Sequence, residues 1–142
     1  MRKFYLLTLL AFIPLLAFSA DRERLNFNGG WLMHVGDVTD GEGAAYNDAS
    51  WKPVTLPRAF NEDEAFRVSI ENLTDTVVWY RKHFTVSDIK RRKFFIEFEG
   101  VRFGADFWLN GHKLGISENG VMASGFDLTP YIRKGTNVIA VR

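Results

Sequence analysis

At 142 residues, 46% hydrophobic and 15% aromatic, the chain is long enough to bury one ordinary apolar core. Its 18 Lys and Arg stand against 17 Asp and Glu, a formal net charge of +1, so nothing in the charge balance calls for nucleic acid as a partner. The absence of cysteine excludes disulfides, thiolate metal sites and a cysteine nucleophile.

Arg2 and Lys3 precede an apolar run from Phe4 to Phe18 that only Thr8 and Pro14 interrupt. Ala17-Phe18-Ser19 places small residues at −3 and −1, so residues 1–19 read as a signal peptide cleaved after Ser19. The run is short for a transmembrane span and has no neighbouring cysteine to carry a lipid. The expectation is a secreted or periplasmic mature domain, residues 20–142, with no membrane attachment after cleavage. Cleavage removes two basic residues and no acid, leaving 16 basic against 17 acidic residues.

Gly29-Gly30 leads into a strand through Val35, and the polar, Gly-rich stretch from Asp37 to Asn47 reads as a surface loop. Asp48-Ala49-Ser50-Trp51 reads as one helical turn, with Asp48 capping it and Trp51 turned inward. After a short extended piece, Val54 to Pro57, the segment Arg58 to Thr76 has no clean period and is the longest irregular stretch. Val77 to Val86 is a strand with Val78, Tyr80, Phe84 and Val86 on one face. Trp79, Arg81, His83 and Thr85 fall on the other, outward face. The basic run Lys90 to Lys93 is a solvated turn before Phe94 to Gly100, where Phe94, Ile96 and Phe98 point inward and Glu97 and Glu99 outward.

Ala105 to Gly115 is a hairpin, because Asn110-Gly111 supplies the two positive-φ residues that a tight two-residue turn requires. Phe107 is expected opposite Leu114, and Trp108 opposite Lys113. Leu128 to Ile132 suggests a brief helical turn capped by Thr129, and Val138 to Arg142 a last strand. The chain is therefore expected to be an all-β sandwich with Phe94, Ile96, Phe98, Phe107, Leu109, Leu114, Tyr80 and Phe84 in its core. Because it stops inside an apolar strand at Arg142, it is expected to be the front of a longer protein.

Glu97 and Glu99, with Cβ atoms about 7 Å apart on one strand face, could form a glycosidase pair, although solvated surface acids fit that position better. Glu62-Asp63-Glu64 could offer oxygens to Ca²⁺ but lacks the ligand spacing of a known loop. His34, His83 and His112 are far apart and lack the spacing of a zinc helix. No serine sits in a nucleophile elbow, and no cofactor motif occurs. Trp79 and Trp108, on outward faces, are candidates for stacking on a sugar ring.

Several stretches in order resemble a known family. They are Asn47 to Trp51, Val54 to Pro57, Val78 to Phe84, Phe95 to Val101, Asp106 to Gly111, Phe126 to Thr129 and Asn137 to Arg142. Together they resemble the N-terminal jelly-roll, sugar-binding domain of glycoside hydrolase family 2, the family of β-galactosidases, β-glucuronidases and β-mannosidases. The chain departs from the family at Pro57-Arg58, where many members carry Pro-His. It departs again at Gly120-Val121-Met122-Ala123, where many carry Gly-Gly-Tyr.

The resemblance implies a jelly-roll sandwich of the galactose-binding-like kind, needing no cofactor and no metal. The domain would be non-catalytic, with the catalytic glutamates on a barrel downstream, in a retaining β-galactosidase-like enzyme acting on β-linked carbohydrate. Its implied partners are the downstream domains of the same chain and, through the whole enzyme, the sugar. In related β-galactosidases a loop just before the Trp-Tyr strand reaches the sugar subsite, which makes Asn61, Glu71 and Asn72 the substrate-proximal candidates. A free-standing carbohydrate-binding module and a purely structural spacer are the alternative readings.

Overall fold

In the computed structural model, which describes residues 22–62, 67–69 and 75–142, the described residues form strands and turns without a helix. The strands are β1 (Trp31–Val35), β2 (Lys52–Val54), β3 (Val78–Val86), β4 (Phe95–Phe98), β5 (Ala105–Leu109), β6 (His112–Ser117), β7 (Ser124–Asp127) and β8 (Gly135–Val141). Residues 1–19, expected from sequence to be a signal peptide, lie outside the described residues. Six strands make one sheet in the order β2-β1-β3-β8-β5-β6, and β4 and β7 make a second sheet. Every pairing is antiparallel. This is an all-β jelly-roll sandwich.

Alternation along the strands drives the assembly, since each strand presents one apolar face that only a second layer can dry. Trp31, Ile96, Phe107, Leu109, Leu128, Ile132, Ile139 and Val141 fill the space between the sheets. Tyr80, Phe84, Phe94, Phe98 and Leu114 pack against them, so all eight residues expected in the core are there. Phe107 lies at its centre, with ring centroids 4.7 Å from both Phe98 and Phe126. β8, in mid-sheet, is buried from Asn137 to Val141 without interruption, which shows that the larger sheet is covered on both faces. The second cover is a smaller cluster of Trp51, Trp79 and Ala140, with Leu32, Val38, Tyr46, Val77 and Trp108 against it.

That second cluster corrects the reading of β3. Trp79 and Arg81 face away from the main core as expected, yet they are 2% and 0% exposed rather than wet. The loop after β1 folds over them, a long-range contact invisible to a period-2 pattern. At the other end of the chain's first segment, Lys82 donates from Nζ to the carbonyls of Phe27 and Gly29 and lies 4.0 Å from the centre of the Phe27 ring. Burial there pushes the Lys82 amine below its usual pKa.

The hairpin turn forms as expected, with Asn110 at φ 53° and Gly111 at φ 84°. Trp108 faces Lys113, but Phe107 faces Gly115 rather than Leu114, because a bulge interrupts the ladder between Phe107 and Trp108. Close packing favours the shift: a Cβ on Gly115 would lie 2.7 Å from Cε1 of Phe126, so glycine lets the second sheet approach. Asn110 also does more than turn the chain. Its Nδ2 donates to the Tyr131 carbonyl (3.0 Å) and to Asn137 Oδ1 (2.9 Å), while its Oδ1 accepts from the Val138 amide (2.9 Å). Asn137, fully buried, accepts from the Arg133 amide and donates to the carbonyls of Arg133 and Gly135. The Leu128 turn is closed by Tyr131 and Ile132 amides donating to the Leu128 carbonyl. The Thr129 hydroxyl does not cap it; it accepts from the Phe94 amide at 2.9 Å, and Asp127 accepts from the Thr129 amide at 2.8 Å.

Packing of this kind has a measurable signature. Gly115→Ala should destabilise the domain by about 1–3 kcal/mol through overpacking against Phe126. Phe107→Ala should cost about 3–5 kcal/mol through the cavity it leaves. Urea unfolding followed by tryptophan fluorescence measures both, and a smaller loss for Phe107→Ala than for Gly115→Ala would contradict the packing described.

Candidate functional site

The chemistry-bearing side chains gather on the outer face of the larger sheet, beneath the loop that follows β1. Arg81 is held there by charge and by rings. Its Nε donates to Asp48 Oδ2 at 2.7 Å, and its Nη1 donates to the carbonyls of Gly41 and Gly43. Its guanidinium carbon lies 5.4 Å from the Tyr46 ring centre and 5.9 Å from that of Trp51, within cation–π range. His83, two residues along the same strand face, places Nε2 2.7 Å from the same Asp48 oxygen.

Burial pushes the Asp48 carboxyl up, but hydrogen bonds and charge from Arg81 and His83 outweigh it and hold the group below its ordinary 3.8. Contrary to the expectation from sequence, the Asp48 side chain does not cap the turn at 48–51, because Arg81 and His83 occupy it. The turn closes through the Trp51 amide on the Asp48 carbonyl (3.0 Å), and Asn47 Oδ1 accepts from the Ala49 amide (3.2 Å). Trp51 is turned inward as expected and stacks on His34 with centroids 5.3 Å apart.

A second polar knot lies beside it. Asp37 Oδ1 accepts from Trp79 Nε1 and from Arg142 Nε, both at 2.9 Å, and Oδ2 accepts from Arg142 Nη2 at 2.6 Å. The forked contact with Arg142 and the Trp79 bond hold the Asp37 carboxyl well below the usual carboxylate range. Neither Asp37 nor the Asp48–Arg81–His83 group stands out in the sequence. The available signal is Trp79-x-Arg81-x-His83, a cation between aromatic rings on one strand face, which marks a face that a loop must cover.

The structure separates the residues singled out from sequence. Trp79 and Trp108 meet, stacked with centroids 5.5 Å apart and planes at 24°. Trp79 has no open ring face, because Trp108 covers it and Gly41 closes on it from the loop. Trp108 is half-buried, with Lys113 Nζ 5.8 Å from its centre. Asn61 is half-buried at the start of the long loop. That start lies on the core side of β3, where the Tyr80 hydroxyl donates to the Arg58 carbonyl at 2.9 Å, so Asn61 is not brought to the tryptophan pair. Glu71 and Asn72 lie outside the described residues, as do Asp63 and Glu64 of the acidic run. Glu97 and Glu99 are exposed at β4 as expected, with Arg24 3.8 Å from Glu97. His112 stacks on Tyr131, with centroids 4.6 Å apart. Among the described residues no three His, Asp or Glu side chains are placed to hold a metal ion.

Fold and outer-face cluster together define a jelly-roll β-sandwich domain. Comparison with known proteins makes the assignment specific. The sequence model described as glycosyl hydrolases family 2, sugar binding domain, matches residues 16–142. A β-glucuronidase of Formosa agariphila is 38% identical over 133 residues, covering 87% of this chain and 14% of its own length. The β-galactosidase BoGH2A of Bacteroides ovatus is 36% identical over 131 residues, covering 85% of this chain and 15% of its own. The solved structure of a β-glucuronidase from glycoside hydrolase family 2 superposes with a TM-score of 0.78 at 39% identity, over 82% of this chain and 13% of that one. The chain belongs to glycoside hydrolase family 2 and corresponds to its N-terminal sugar-binding domain. It spans about one seventh of the relatives it matches.

Two outcomes follow from the outer-face cluster. Asp48→Ala strands the buried Arg81 charge and should cost about 3–5 kcal/mol. Asp48→Ala combined with Arg81→Met should recover much of that loss, because no uncompensated charge remains. Urea titration of the two variants decides it, and equal destabilisation of both would contradict the pairing. The pH dependence has a definite sign. Asp37 and Asp48 both titrate lower in the fold than their ordinary 3.8, so their stabilisation is complete above that value and is lost as pH falls through the folded pKa. The melting temperature should therefore drop on acidification below about pH 4, and Asp37→Asn should flatten that drop. A variant profile parallel to the wild type would exclude Asp37 as a contributor.

Proposed function

We propose that this chain is the non-catalytic front domain of a secreted or periplasmic retaining β-glycosidase, β-galactosidase-like, which hydrolyses O-glycosyl bonds of β-linked carbohydrates. In that role it packs on the catalytic barrel and lines one wall of the substrate pocket. The observation that carries the reading is the proportion of the match. Nearly the whole chain aligns with glycosidases, yet it accounts for only 14–15% of their length. The rigid two-sheet scaffold supports a positioning role, since it can aim a polar loop without supplying the reacting groups. Export through residues 1–19 completes the reading.

Within the domain, Asn61, Glu71 and Asn72 on the loop between Arg58 and Val77 are the side chains to reach sugar hydroxyls. Each such hydrogen bond contributes about 0.5–1.5 kcal/mol net, more if charged. Trp108 is the tryptophan of the stacked pair whose ring keeps some exposure for a sugar C–H face.

The purified 142-residue chain should not turn over a chromogenic β-galactoside or β-glucuronide; enzyme-like turnover would overturn the non-catalytic role. In the full-length glycosidase that this reading requires, alanine at Asn61, Glu71 or Asn72 should lower kcat/KM. If all three stay within about twofold of wild type, a change of only ~0.4 kcal/mol, the loop does not touch the transition state.

A further inference from the structure

We propose that the end of the sandwich formed by the β3–β4 turn and the segment leading into β8 is a binding site for a uronate-bearing polysaccharide. Lys90, Arg91, Arg92, Lys93, Arg133 and Lys134 would hold its carboxylates. The site is independent of the reading just given, since it needs neither the loop between Arg58 and Val77 nor a catalytic partner.

Topology assembles it from two segments. Val86, closing β3, pairs with Gly135, opening β8, and Phe95, opening β4, pairs with Asp127, closing β7. The turn at 87–94 and the segment at 128–134 therefore meet at one end of the sandwich. The Leu128 amide ties them by donating to the Phe94 carbonyl at 2.8 Å, and the Phe94 amide donates to the Thr129 hydroxyl at 2.9 Å. The basic run legible in sequence thus gains Arg133 and Lys134 from across the fold.

These cations differ from the others in the domain. All six are exposed, and among the described residues none of them is in an ion pair. Arg24, Arg58, Arg81, Lys113 and Arg142, in contrast, each lie against a carboxylate. The acids at this end are Asp88 and Asp127, and both accept from backbone amides, of Lys90 at 2.9 Å and of Thr129 at 2.8 Å. Hydrogen bonds from Thr129 and the charge of Lys93 hold the Asp127 carboxyl below its ordinary 3.8. Residues 20–142 hold 16 basic and 17 acidic side chains, so away from this end ten basic residues stand against fifteen acidic ones. Positive potential is therefore concentrated at one end, where it draws a polyanion.

A ring completes the site. Tyr131, on the same segment as Arg133 and Lys134, stacks on His112 with planes at 9° and remains 40% exposed. A ring fixed in this way presents an apolar surface to the C–H face of a sugar, while arginine forks beside it match planar carboxylates. The description of the matching family as a sugar binding domain favours carbohydrate as the polymer. Duplex DNA, with a charge about every 1.7 Å of its axis, fits less well, because the rest of the domain is acidic and the whole chain carries a net charge of only +1.

Affinity electrophoresis of the 142-residue chain in native gels containing polygalacturonate tests the assignment, with neutral dextran, dextran sulfate and duplex DNA as parallel probes. Polygalacturonate should retard the chain relative to a gel without polymer, and dextran should not. The apparent Kd should weaken at least about tenfold between about 50 and about 300 mM NaCl. Lys90→Gln, Arg91→Gln, Arg92→Gln and Lys93→Gln together should weaken binding at least about tenfold, and Lys134→Gln alone about two- to threefold, with urea midpoints unchanged. Tyr131→Ala should weaken binding while keeping the wild-type salt dependence, because stacking is not ionic. Lys113→Gln, which removes a paired cation elsewhere, should leave binding unchanged. Undiminished retardation of the fourfold variant, equal retardation by neutral dextran, or a loss with Lys113→Gln as large as that with Lys134→Gln would overturn the site. Retardation by dextran sulfate alone would overturn the choice of carboxylate, and tighter binding to duplex DNA than to polygalacturonate would overturn the choice of carbohydrate.

Discussion

The arrangement of this domain depends on the ion pair between Arg81 and Asp48. A guanidinium with no solvent exposure needs its charge answered, and here a carboxylate on Nε, two loop carbonyls on Nη1 and two aromatic faces do so, leaving only Nη2 without a hydrogen-bond partner. Every one of those partners comes from the segment between β1 and β2. The pair therefore acts as a rivet that lays an otherwise polar, Gly-rich loop across the outer face of the larger sheet. Without it Trp51 and Trp79 would be uncovered, and the sheet would have one dry face instead of two.

Sealing both faces of the larger sheet has a consequence for function. Side chains in the middle of the sandwich are committed to packing, and the tryptophans that sequence places on a wet surface are partners to each other. What remains free for recognition is at the ends of the strands. One end is tied by the Asn110–Asn137 network and the Leu128 turn, in which the two asparagine side chains bond within the domain. The other end carries exposed apolar tips, the chain's exit and the return of the long loop.

Much of this was legible beforehand, and the reason is physical. Asn110-Gly111 admits few alternatives to a tight hairpin, and the alternation in Phe94 to Phe98 and Ala105 to Leu109 assigns each side chain to a face. The Phe107 register was not legible, because Gly115 opposes it only when the Phe126 ring from another sheet presses on that position. The role of Asp48 was misread for a related reason. A local cap and a distant cation compete for the same carboxylate, and the stronger, charged donor lies 33 residues away.

The sequence alone determined the fold class, the membership of the main core and the family, because those properties follow from local periodicity, turn chemistry and an ordered series of short motifs. Only the tertiary structure decided that Trp79 and Arg81 are buried, that Asp37 and Asp48 bind cations on other segments, and that Gly120 packs against the backbone of Phe103. Alternation states which side of a strand a residue takes; what lies across from it depends on contacts between residues far apart in the chain, which no local pattern encodes.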